Sequence, residues 1–187
     1  MAGRLLVLTG PSGVGKGTVV AELRRLRPDL WVSVSATTRP PRAGEVDGVA
    51  YFFWSPERFD ATIADDGFLE WAPFAGQRYG TPRAPVEHRL AAGEPVLLEI
   101  ELQGARQVRA AMPAAFMVFL TPPDLTVLED RLRGRATEDE SAITRRLARA
   151  RDELAAAEEF DAVVVNDDVV RAARELLDLL EDPGRPA

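Results

Sequence analysis

The stretch from residue 5 to residue 18 constrains the fold of this chain more than any other part of the sequence. Four apolar residues, Leu5–Leu8, lead into the glycine-rich segment Gly10-Pro11-Ser12-Gly13-Val14-Gly15, and Lys16 then opens a helical pattern. A buried strand, a Gly-x-x-x-x-Gly-Lys turn and a helix in this order form the phosphate-binding P-loop in the context that it requires. The sequence therefore predicts an α/β fold with a phosphate site where its first strand passes into its first helix.

Each residue type in this loop has a physical reason. Gly10, Gly13 and Gly15 can adopt positive φ angles, so that the backbone can approach a ligand closely. Successive N–H groups then converge on one anion, which the positive end of the following helix also attracts. Lys16 adds a mobile positive charge that can reach the outer phosphates of a nucleoside triphosphate. A glycine-rich connection that binds nothing is the alternative, and the register of strand, loop, lysine and helix argues against it.

Bulk composition narrows the class of protein. At 187 residues the chain suits one domain with insertions, and its net charge of −7 argues against binding nucleic acid, whose backbone requires a basic surface. The absence of cysteine excludes disulfides and thiolate metal sites. The first strand follows Met1 almost directly, without a signal peptide, and no apolar run reaches the ~20 residues of a membrane span. We therefore expect a cytoplasmic protein that binds neither nucleic acid nor a membrane.

Apolar patterning predicts strands that alternate with helices, which is typical of a mostly parallel sheet covered on both faces. The predicted strands are Leu5–Leu8, Trp31–Ser35, Tyr51–Trp54, Phe68–Phe74, Val96–Ile100, Phe116–Leu120 and Val163–Val165. The predicted helices are Thr18–Arg27, Pro56–Asp66 with Ser55 as its N-cap, Pro85–Ala92, Gly104–Ala111, Asp124–Arg133, Glu138–Glu159 and Val169–Leu180. The segment Arg78–Thr81 is predicted to be a loop.

We predict a single domain, 1–187, in three parts. The core comprises residues 1–34, 83–123 and 155–187, an insertion comprises residues 35–82, and an arginine-rich excursion comprises residues 124–154. As a mobile lid, this excursion would cover a polyphosphate and supply positive charge as it closes. The arginines that we single out in it are Arg131, Arg135, Arg145, Arg146 and Arg149, and surface pairing with nearby acids at helical spacing is the alternative for any one of them.

The insertion contains a second candidate anion site. Arg39 and Arg42 lie in a proline-rich turn that could aim two guanidinium groups at one phosphate. Two solvated loop arginines are the alternative. Tyr51 and Tyr79 could each donate a hydroxyl hydrogen bond to a phosphate oxygen, although Tyr51 could equally pack in the core of its strand.

Glu70 lies within an aromatic strand, and period-two alternation predicts that Phe68, Glu70 and Ala72 share one face while Leu69 and Trp71 share the other. A partly buried carboxylate needs hydrogen-bond donors. The adjacent N1–H and N2–H₂ donors of guanine suit one carboxylate, whereas adenine offers no such pair. A solvent-facing glutamate is the alternative.

Glu99 and Glu101 end an apolar strand and, two residues apart, point the same way. Strand ends beside a P-loop are where α/β proteins bind ligands. Two acids in such a place would be costly without a cation or hydrogen-bond donors, so we expect them to hold Mg²⁺ through water or to contact a second substrate.

Together these residues resemble the guanylate kinases, and the resemblance runs nearly from end to end. A nucleotide-binding loop alone would be far less specific than this set of motifs. The matching segments are Gly10–Lys16, Ser33–Glu45 with Arg39 and Arg42, Glu70-Trp71, Tyr79-Gly80-Thr81, Glu99–Gly104 and Val165-Asn166-Asp167.

The resemblance implies a P-loop three-layer α/β sandwich with a parallel sheet, a GMP-binding insertion of mixed strands and a helical lid. It also implies the binding residues. ATP would be held by Gly10, Pro11, Ser12, Gly13, Val14, Gly15, Lys16, Gly17, Thr18, Arg131, Arg135 and Asn166, and GMP by Ser35, Arg39, Arg42, Tyr51, Glu70, Tyr79, Thr81, Glu99, Glu101 and Arg146. Lys16, Arg39, Arg135 and Arg146 would be catalytic, with Ser35, Glu70, Thr81 and Glu101 reading the guanine base.

Three positions depart from the family pattern. Gly17 replaces a serine or threonine that would offer a hydroxyl to Mg²⁺, and Thr18 follows one place late. The resulting Gly-Lys-Gly-Thr loop resembles that of adenylate kinases, where nucleotide oxygens and water hold the metal; Glu99 or Thr18 would be the protein contacts nearest to it. Glu101 stands where aspartate is usual, and Ala136 replaces a glycine that could act as a hinge of the lid.

The resemblance implies phosphoryl transfer from MgATP to GMP, and also to dGMP, within purine nucleotide metabolism. Two other functions stay open: an interaction module that binds a phosphorylated peptide without catalysis, and a kinase for another monophosphate such as dGMP, AMP or UMP. The sequence does not fix the oligomeric state.

Overall fold

The computed structural model describes residues 3–133 and 140–181, and their side chains except at residues 131, 132 and 140–142. Within these ranges, the strands are β1 (Leu5–Thr9), β2 (Trp31–Val32), β3 (Ala36–Thr37), β4 (Phe52–Phe53), β5 (Phe68–Phe74), β6 (Gln77–Pro82), β7 (Val96–Glu99), β8 (Phe116–Thr121) and β9 (Ala162–Val165). The helices are α1 (Lys16–Leu26), α2 (Pro56–Ala64), α3 (Arg83–Ala91), α4 (Leu102–Ala111), α5 (Leu125–Arg133), α6 (Glu140–Ala155) and α7 (Val169–Glu181).

A five-stranded sheet has the strand order β2-β7-β1-β8-β9, and its β2–β7, β1–β8 and β8–β9 pairs are parallel. All five residues of β1 are buried, as are the four central residues of β8. A parallel sheet covered on both faces requires such continuous apolar strands. The prediction of an α/β fold with a parallel sheet is confirmed.

The chain forms two compact units. Unit 1 comprises Met1–Leu5, Trp31–Leu98 and Gln103–Ala115, and unit 2 comprises Leu6–Leu30, Glu99–Leu102 and Phe116–Ala187. In unit 2, α1 packs against α7. The three-part division into core, insertion and lid stays a prediction.

Unit 1 contains a second sheet with the order β4-β3-β6-β5. The prediction that Arg78–Thr81 is a loop is wrong, because these residues belong to β6, which pairs with β5 and β3. The hairpin turn consists of Ala75 and Gly76, both at positive φ (50° and 76°), as the type I′ two-residue turn between antiparallel strands requires. Alanine is a weak sequence signal for such a turn, and β6, which follows it, is polar. The sequence pattern therefore did not predict the hairpin.

The predicted alternation along β5 is also wrong at its start. Phe68 pairs with Pro82 and Glu70 with Thr81, so Leu69 is an extra residue that forms a β-bulge. Phe68 consequently joins Trp71 in one aromatic cluster, where both rings contact Phe59. Glu70 therefore does not share the face of Phe68, because the bulge shifts the alternation by one residue.

The helix ends follow local chemistry. Ser55 caps α2, as predicted, because its hydroxyl accepts a hydrogen bond from the backbone N–H of Arg58 at 3.2 Å. Helix α6 ends earlier than predicted, and the chain tightens into a 3-10 turn at Ala156–Glu159. The predicted first residues of this helix, 138 and 139, lie outside the described ranges. Across the part of the chain that the structure describes, no helix combines the length and apolar character needed to cross a membrane.

Candidate active site

The P-loop in unit 2 has the backbone shape that its glycines allow. Gly10, Gly13 and Gly15 all have positive φ angles, of 154°, 89° and 100°. A Cβ atom on Gly10 would lie 2.2 Å from the carbonyl oxygen of Leu120, on the neighbouring strand β8. Glycine is therefore required at this position both by backbone conformation and by the close approach of β8.

Asn166 supports the loop from beneath. It follows β9, is buried, and donates from Nδ2 to the carbonyl oxygen of Val14 at 2.8 Å. A Cβ atom on Gly15 would lie 2.7 Å from the same Nδ2 atom, so this contact also depends on glycine. The structure thus places Asn166 against the P-loop backbone, and its predicted place near adenine stays a prediction.

Lys16 is held close to the loop. Its Nζ donates to the carbonyl oxygen of Gly10 at 2.7 Å and lies 3.4 Å from Oε1 of Glu101. Only 11% of the Lys16 side chain is exposed, whereas 55% of the Glu101 side chain is. Glu101 is therefore positioned as a partner of the P-loop lysine within unit 2, and its reading of guanine stays a prediction.

Glu99 ends β7 and lies beside the unusual glycine of the loop. A Cβ atom on Gly17 would come within 3.7 Å of Oε1 of Glu99, which is ordinary van der Waals contact. Burial raises the pKa of Glu99, and the positive charge of Lys16 opposes that rise. Thr18, the other predicted metal contact, is exposed on α1. A carboxylate therefore adjoins the place where the family's hydroxyl is missing.

Helix α6 contacts the same loop. Arg146, a predicted lid arginine, donates from Nη2 to the Ser12 hydroxyl oxygen at 2.7 Å. The backbone N–H of Ser12 donates to Oε2 of Glu153 at 3.3 Å, while Nε of Arg149 donates to Oε1 of Glu153 at 2.8 Å. Glu153 is buried and was missed by sequence reasoning. Its spacing of three residues from the buried Ala150 was the signal that could have placed it on the inner face of α6.

Two of the predicted lid arginines lie wholly or partly outside the described residues. Arg135 lies outside them, as does the neighbouring departure Ala136. Arg131 belongs to α5, but its side chain lies outside the described part of the chain. Their roles stay predictions.

In unit 1, three of the predicted phosphate ligands lie together. The Cζ atom of Arg39 is 5.0 Å from the ring centroid of Tyr51 and 5.5 Å from that of Phe53. The rings of Tyr51 and Tyr79 meet edge to face, with centroids 5.8 Å apart. These contacts fix the plane of the Arg39 guanidinium group against aromatic faces.

A carboxylate holds the same arginine. Oε2 and Oε1 of Glu45 accept hydrogen bonds from Nη1 and Nη2 of Arg39 at 2.7 and 2.6 Å. Oε2 also accepts from the backbone N–H of Arg42 at 2.7 Å. The Arg42 side chain itself is exposed. Sequence reasoning did not assign Glu45 a role, because only the fold reveals that it pairs with Arg39.

The predicted base readers Glu70 and Thr81 are brought together by the β5–β6 pairing. Glu70 is buried, and its Oε1 accepts a hydrogen bond from the Thr81 hydroxyl at 2.6 Å. Burial raises the pKa of Glu70, and the Thr81 hydrogen bond opposes that rise. A Cβ atom on Gly104 would lie 2.5 Å from Oε2 of Glu70, so glycine makes room for the carboxylate.

Two neighbouring contacts complete this region. Gln107 of α4 accepts from the backbone N–H of Trp71 at 3.1 Å and donates to its carbonyl oxygen at 2.9 Å, which fixes β5 beside Glu70. Ser35 directly precedes β3, and its carbonyl oxygen accepts from the backbone N–H of Phe52 at 2.9 Å. The contact of its hydroxyl group with guanine stays a prediction.

Comparison with known proteins identifies relatives that are described as guanylate kinases. The family model described as guanylate kinase matches residues 2–183. Guanylate kinase of Synechococcus sp. strain CC9902 is 65% identical over 174 residues, which cover 93% of each chain. Guanylate kinase of Thermobifida fusca strain YX is 62% identical over 180 residues, covering 96% of this chain and 92% of the relative. A crystal structure of guanylate kinase from Anaplasma phagocytophilum matches with a TM-score of 0.76 and 31% identity, covering 96% of this chain and 85% of that chain.

Proposed function

This chain belongs to the guanylate kinase family, and from that premise we propose that it transfers the γ-phosphoryl group of ATP to GMP, giving ADP and GDP. The chain is a kinase. The observation that carries the choice of GMP is the buried Glu70–Thr81 pair in unit 1. Oε1 of Glu70 is engaged by Thr81, and a carboxylate has further acceptor positions for the adjacent N1–H and N2–H₂ donors of guanine.

Adenine would leave this carboxylate without matching donors. A buried acceptor that loses its partner incurs the full cost of its desolvation, so a site built on Glu70 discriminates strongly between the two bases. Within the same unit, Arg39, Arg42, Tyr51 and Tyr79 would hold the phosphate of GMP. Ser35 would complete the contacts to the base, and Glu99, Glu101 and Arg146 stay predicted GMP ligands.

The donor nucleotide would bind the P-loop of unit 2. Residues 10–18 would surround the ATP phosphates with backbone N–H groups, while Lys16 would leave Gly10 for the outer phosphates. Arg146, now on Ser12, would supply positive charge at the same loop together with Arg131 and Arg135. Asn166 would then hold the loop in shape below the nucleotide.

The transfer needs little covalent help from the protein. An oxygen of the GMP phosphate forms a bond to the γ-phosphorus, the bond from that phosphorus to the β,γ-bridging oxygen breaks, and ADP leaves with the electron pair. Negative charge spreads over the transferred group in the transition state. Lys16, Arg39 and the lid arginines would stabilise this charge where water is excluded, so we propose that GMP closes the insertion, 35–82, and ATP closes the lid, 124–154.

Kinases that use ATP generally need a divalent metal, and we propose Mg²⁺. Among the residues that the structure describes, no group of three or more histidine, cysteine, aspartate and glutamate side chains could hold a metal by itself. Magnesium is commonly bound through one or two carboxylates together with substrate phosphates and water, and Glu99 beside Gly17 fits this arrangement. When bound, the ion would neutralise charge on the β- and γ-phosphates.

We further propose that the protein works in the cytoplasm, in purine nucleotide metabolism, and that it also accepts dGMP. A coupled assay for ADP tests the function directly, with ATP and either GMP, dGMP, AMP or UMP as acceptor. We expect turnover with GMP at least tenfold more efficient than with AMP or UMP. Turnover only with another monophosphate would overturn the choice of GMP, and tight binding of a phosphopeptide without any turnover would favour a non-catalytic interaction module.

A further inference from the structure

Glu45 receives three hydrogen bonds from the two arginines that are proposed to hold the GMP phosphate. Two come from the guanidinium group of Arg39, at 2.7 and 2.6 Å, and one from the backbone N–H of Arg42, at 2.7 Å. The pair is largely shielded, with 10% of the Arg39 side chain and 21% of the Glu45 side chain exposed. These bonds, led by that from Arg39, lower the pKa of Glu45 to about 2, so the carboxylate is ionised throughout the physiological range.

We propose that Glu45 is a positioning residue for the acceptor phosphate: it orients Arg39 and Arg42 before the substrate arrives and stays bound to them afterwards. This inference rests on the proposed function, because it concerns the phosphate of the same acceptor nucleotide. The opposing possibility is that Glu45 merely occupies the arginines in the free protein and that phosphate must displace it.

The donor inventory of Arg39 favours positioning. A guanidinium group has five N–H donors, two on Nη1, two on Nη2 and one on Nε. Nη1 uses one for Glu45 and one for the carbonyl oxygen of Pro40 at 3.0 Å, and Nη2 uses one for Glu45. The two that Glu45 and Pro40 leave, on Nη2 and Nε, lie side by side on one edge, which matches two oxygens of a phosphate in fork geometry. The hydroxyl of Tyr79, itself a predicted phosphate ligand, also hydrogen-bonds to this guanidinium group. Phosphate can therefore bind without removing Glu45.

The aromatic contacts strengthen this arrangement. Tyr51 and Phe53 pack on the face of the Arg39 guanidinium group, and Glu45 fixes its rotation within that plane. The hydroxyl of Tyr79 also raises the pKa of Arg39, after the larger effect of Glu45, so a predicted phosphate ligand adjoins the same group. An arginine that is already immobilised loses less conformational entropy when it binds its ligand.

The turn between the two arginines and Glu45 explains how one carboxylate reaches both. The backbone N–H of Glu45 donates to the carbonyl oxygen of Arg42 at 3.0 Å, and Gly44 has a φ of 86°. The chain thus reverses at Gly44 and returns the Glu45 carboxylate to the N–H of Arg42 and to Arg39. The Glu45 carboxylate therefore sets both the orientation of the Arg39 side chain and the shape of the loop that contains Arg42.

Electrostatic repulsion alone would predict that removal of the Glu45 carboxylate strengthens the binding of GMP. A carboxylate beside a bound phosphate repels it, so a competing anion should weaken GMP binding and its removal should strengthen it. A positioning group does the reverse, since its removal releases Arg39 and the Arg42 loop. The direction of the change in GMP affinity therefore separates the two.

The experiment compares wild-type full-length protein with Glu45→Ala, Glu45→Gln and a control, Glu94→Ala, which removes the carboxylate paired with Arg89 elsewhere in unit 1. We would measure KM for GMP and for ATP, kcat, and inhibition by guanosine, which carries the base without the phosphate. For Glu45→Ala we expect KM for GMP to rise about 10- to 100-fold, a loss typical of misplaced binding groups, with guanosine inhibition and KM for ATP within about twofold of wild type. Glu45→Gln, which keeps an amide oxygen as acceptor, should lie between wild type and Glu45→Ala, and Glu94→Ala should match wild type.

The possible outcomes separate this inference from the proposed function. An unchanged or lowered KM for GMP in Glu45→Ala, with normal turnover by the wild type, overturns this inference and leaves the proposed function intact. An equal loss of GMP and guanosine binding in Glu45→Ala and Glu45→Gln also overturns it, because a general disturbance of unit 1 would affect both ligands. Absence of GMP turnover by the wild-type protein overturns the proposed function and this inference together.

Discussion

The two regions that are proposed to hold phosphate are built on different principles. In the P-loop of unit 2, the main chain supplies the donors, and positive φ angles at Gly10, Gly13 and Gly15 give it its curvature. In unit 1, side chains supply the donors, and a carboxylate, Glu45, holds them in place. One site is shaped by residues that have no side chain, the other by pairs of charged side chains.

This difference decides how each region can change. A backbone site reads charge and shape but has no means of telling one nucleotide base from another. A side-chain site can be retuned by single substitutions, because Glu70 and Arg39 each have partners of their own within unit 1. Specificity for the acceptor should therefore reside in unit 1, and general competence for phosphoryl transfer in unit 2.

Among the substitutions, Lys16→Met should show the largest difference between its effect on phosphoryl transfer and its effect on GMP binding. Loss of one neutral hydrogen-bond donor to the transition state costs about 10²- to 10³-fold in rate, and the loss of the full positive charge of Lys16 should reach at least the upper value. Binding of GMP, for which unit 1 is proposed to supply most of the contacts to base and phosphate, should stay within about threefold of wild type. A coupled ADP assay gives kcat and calorimetry gives the GMP affinity; a parallel loss of both would break the comparison.

Glycine substitutions test the backbone principle. Gly10→Ala places a Cβ atom 2.2 Å from the carbonyl oxygen of Leu120 at positive φ, whereas Gly44→Ala at a φ of 86° meets nothing within 4 Å. Backbone strain alone costs roughly 1–2 kcal/mol, and the steric overlap at Gly10 should add about 1–3 kcal/mol. Urea denaturation would measure both, and equal losses would contradict the requirement for close approach of β8.

Glu70→Gln tests whether unit 1 reads the base. The amide keeps one acceptor but presents a donor toward the donors of guanine, so kcat/KM for GMP should fall about 100-fold. The affinity for ATP, which reports on unit 2, should change little. An unchanged preference for GMP over AMP would contradict the assignment of Glu70.

Glu70→Gln should lower activity with GMP but raise stability relative to wild type as the pH rises. Burial raises the native-state pKa of Glu70 above its ordinary value of 4.5, so above pH 4.5 the native state binds more protons than the unfolded state. Wild-type stability should therefore decline from pH 4.5 upward until the native pKa is passed, relative to Glu70→Gln. Denaturation of both proteins between about pH 4 and pH 8 measures this; a difference that stays constant across that range would show that Glu70 has an ordinary pKa.

The smallest effect should come from Gly17→Ser. The added Cβ atom would lie 3.7 Å from Oε1 of Glu99, which the site accommodates. We expect kcat within about threefold of wild type and a lower Mg²⁺ concentration for half-maximal activity, because a hydroxyl ligand is restored. An unchanged Mg²⁺ requirement would mean that Glu99 and the nucleotide already satisfy the metal.

The sequence predicts the P-loop of unit 2 more fully than it predicts the contacts within unit 1. The P-loop is contiguous, so its residues and their order are enough to predict strand, loop and helix. The meeting of Glu70 with Thr81 depends on a hairpin whose second strand is polar and whose turn is Ala75-Gly76, a pattern that favours a loop. Family resemblance identifies each of the two residues, but their contact comes only from the fold.

The two carboxylates Glu45 and Glu153 illustrate the remaining limit. Sequence reasoning assigned neither of them a role, and each gains its role from partners that the fold brings to it. Glu153 meets the N–H of Ser12 from a helix 141 residues further along the chain. Periodicity could place its side chain on the inner face of α6, but only tertiary structure identifies what lies opposite.

The extra residue in β5 has a consequence for how this protein can vary. Because Leu69 offsets the alternation, the side on which Glu70 appears is set by the number of residues before it as well as by its identity. If Leu69 paired regularly instead of forming a bulge, Glu70 would share the face of Phe68 and turn toward Phe59 and its aromatic neighbours, with every residue type in the strand kept. Deletion of Leu69, by contrast, would remove the bulge and leave Glu70 on its present face. The proposed reading of the base thus depends on the bulge as well as on the residue at position 70, so a change that closes the bulge while keeping Leu69 should impair the use of GMP more than exchanges of the apolar residues in this strand.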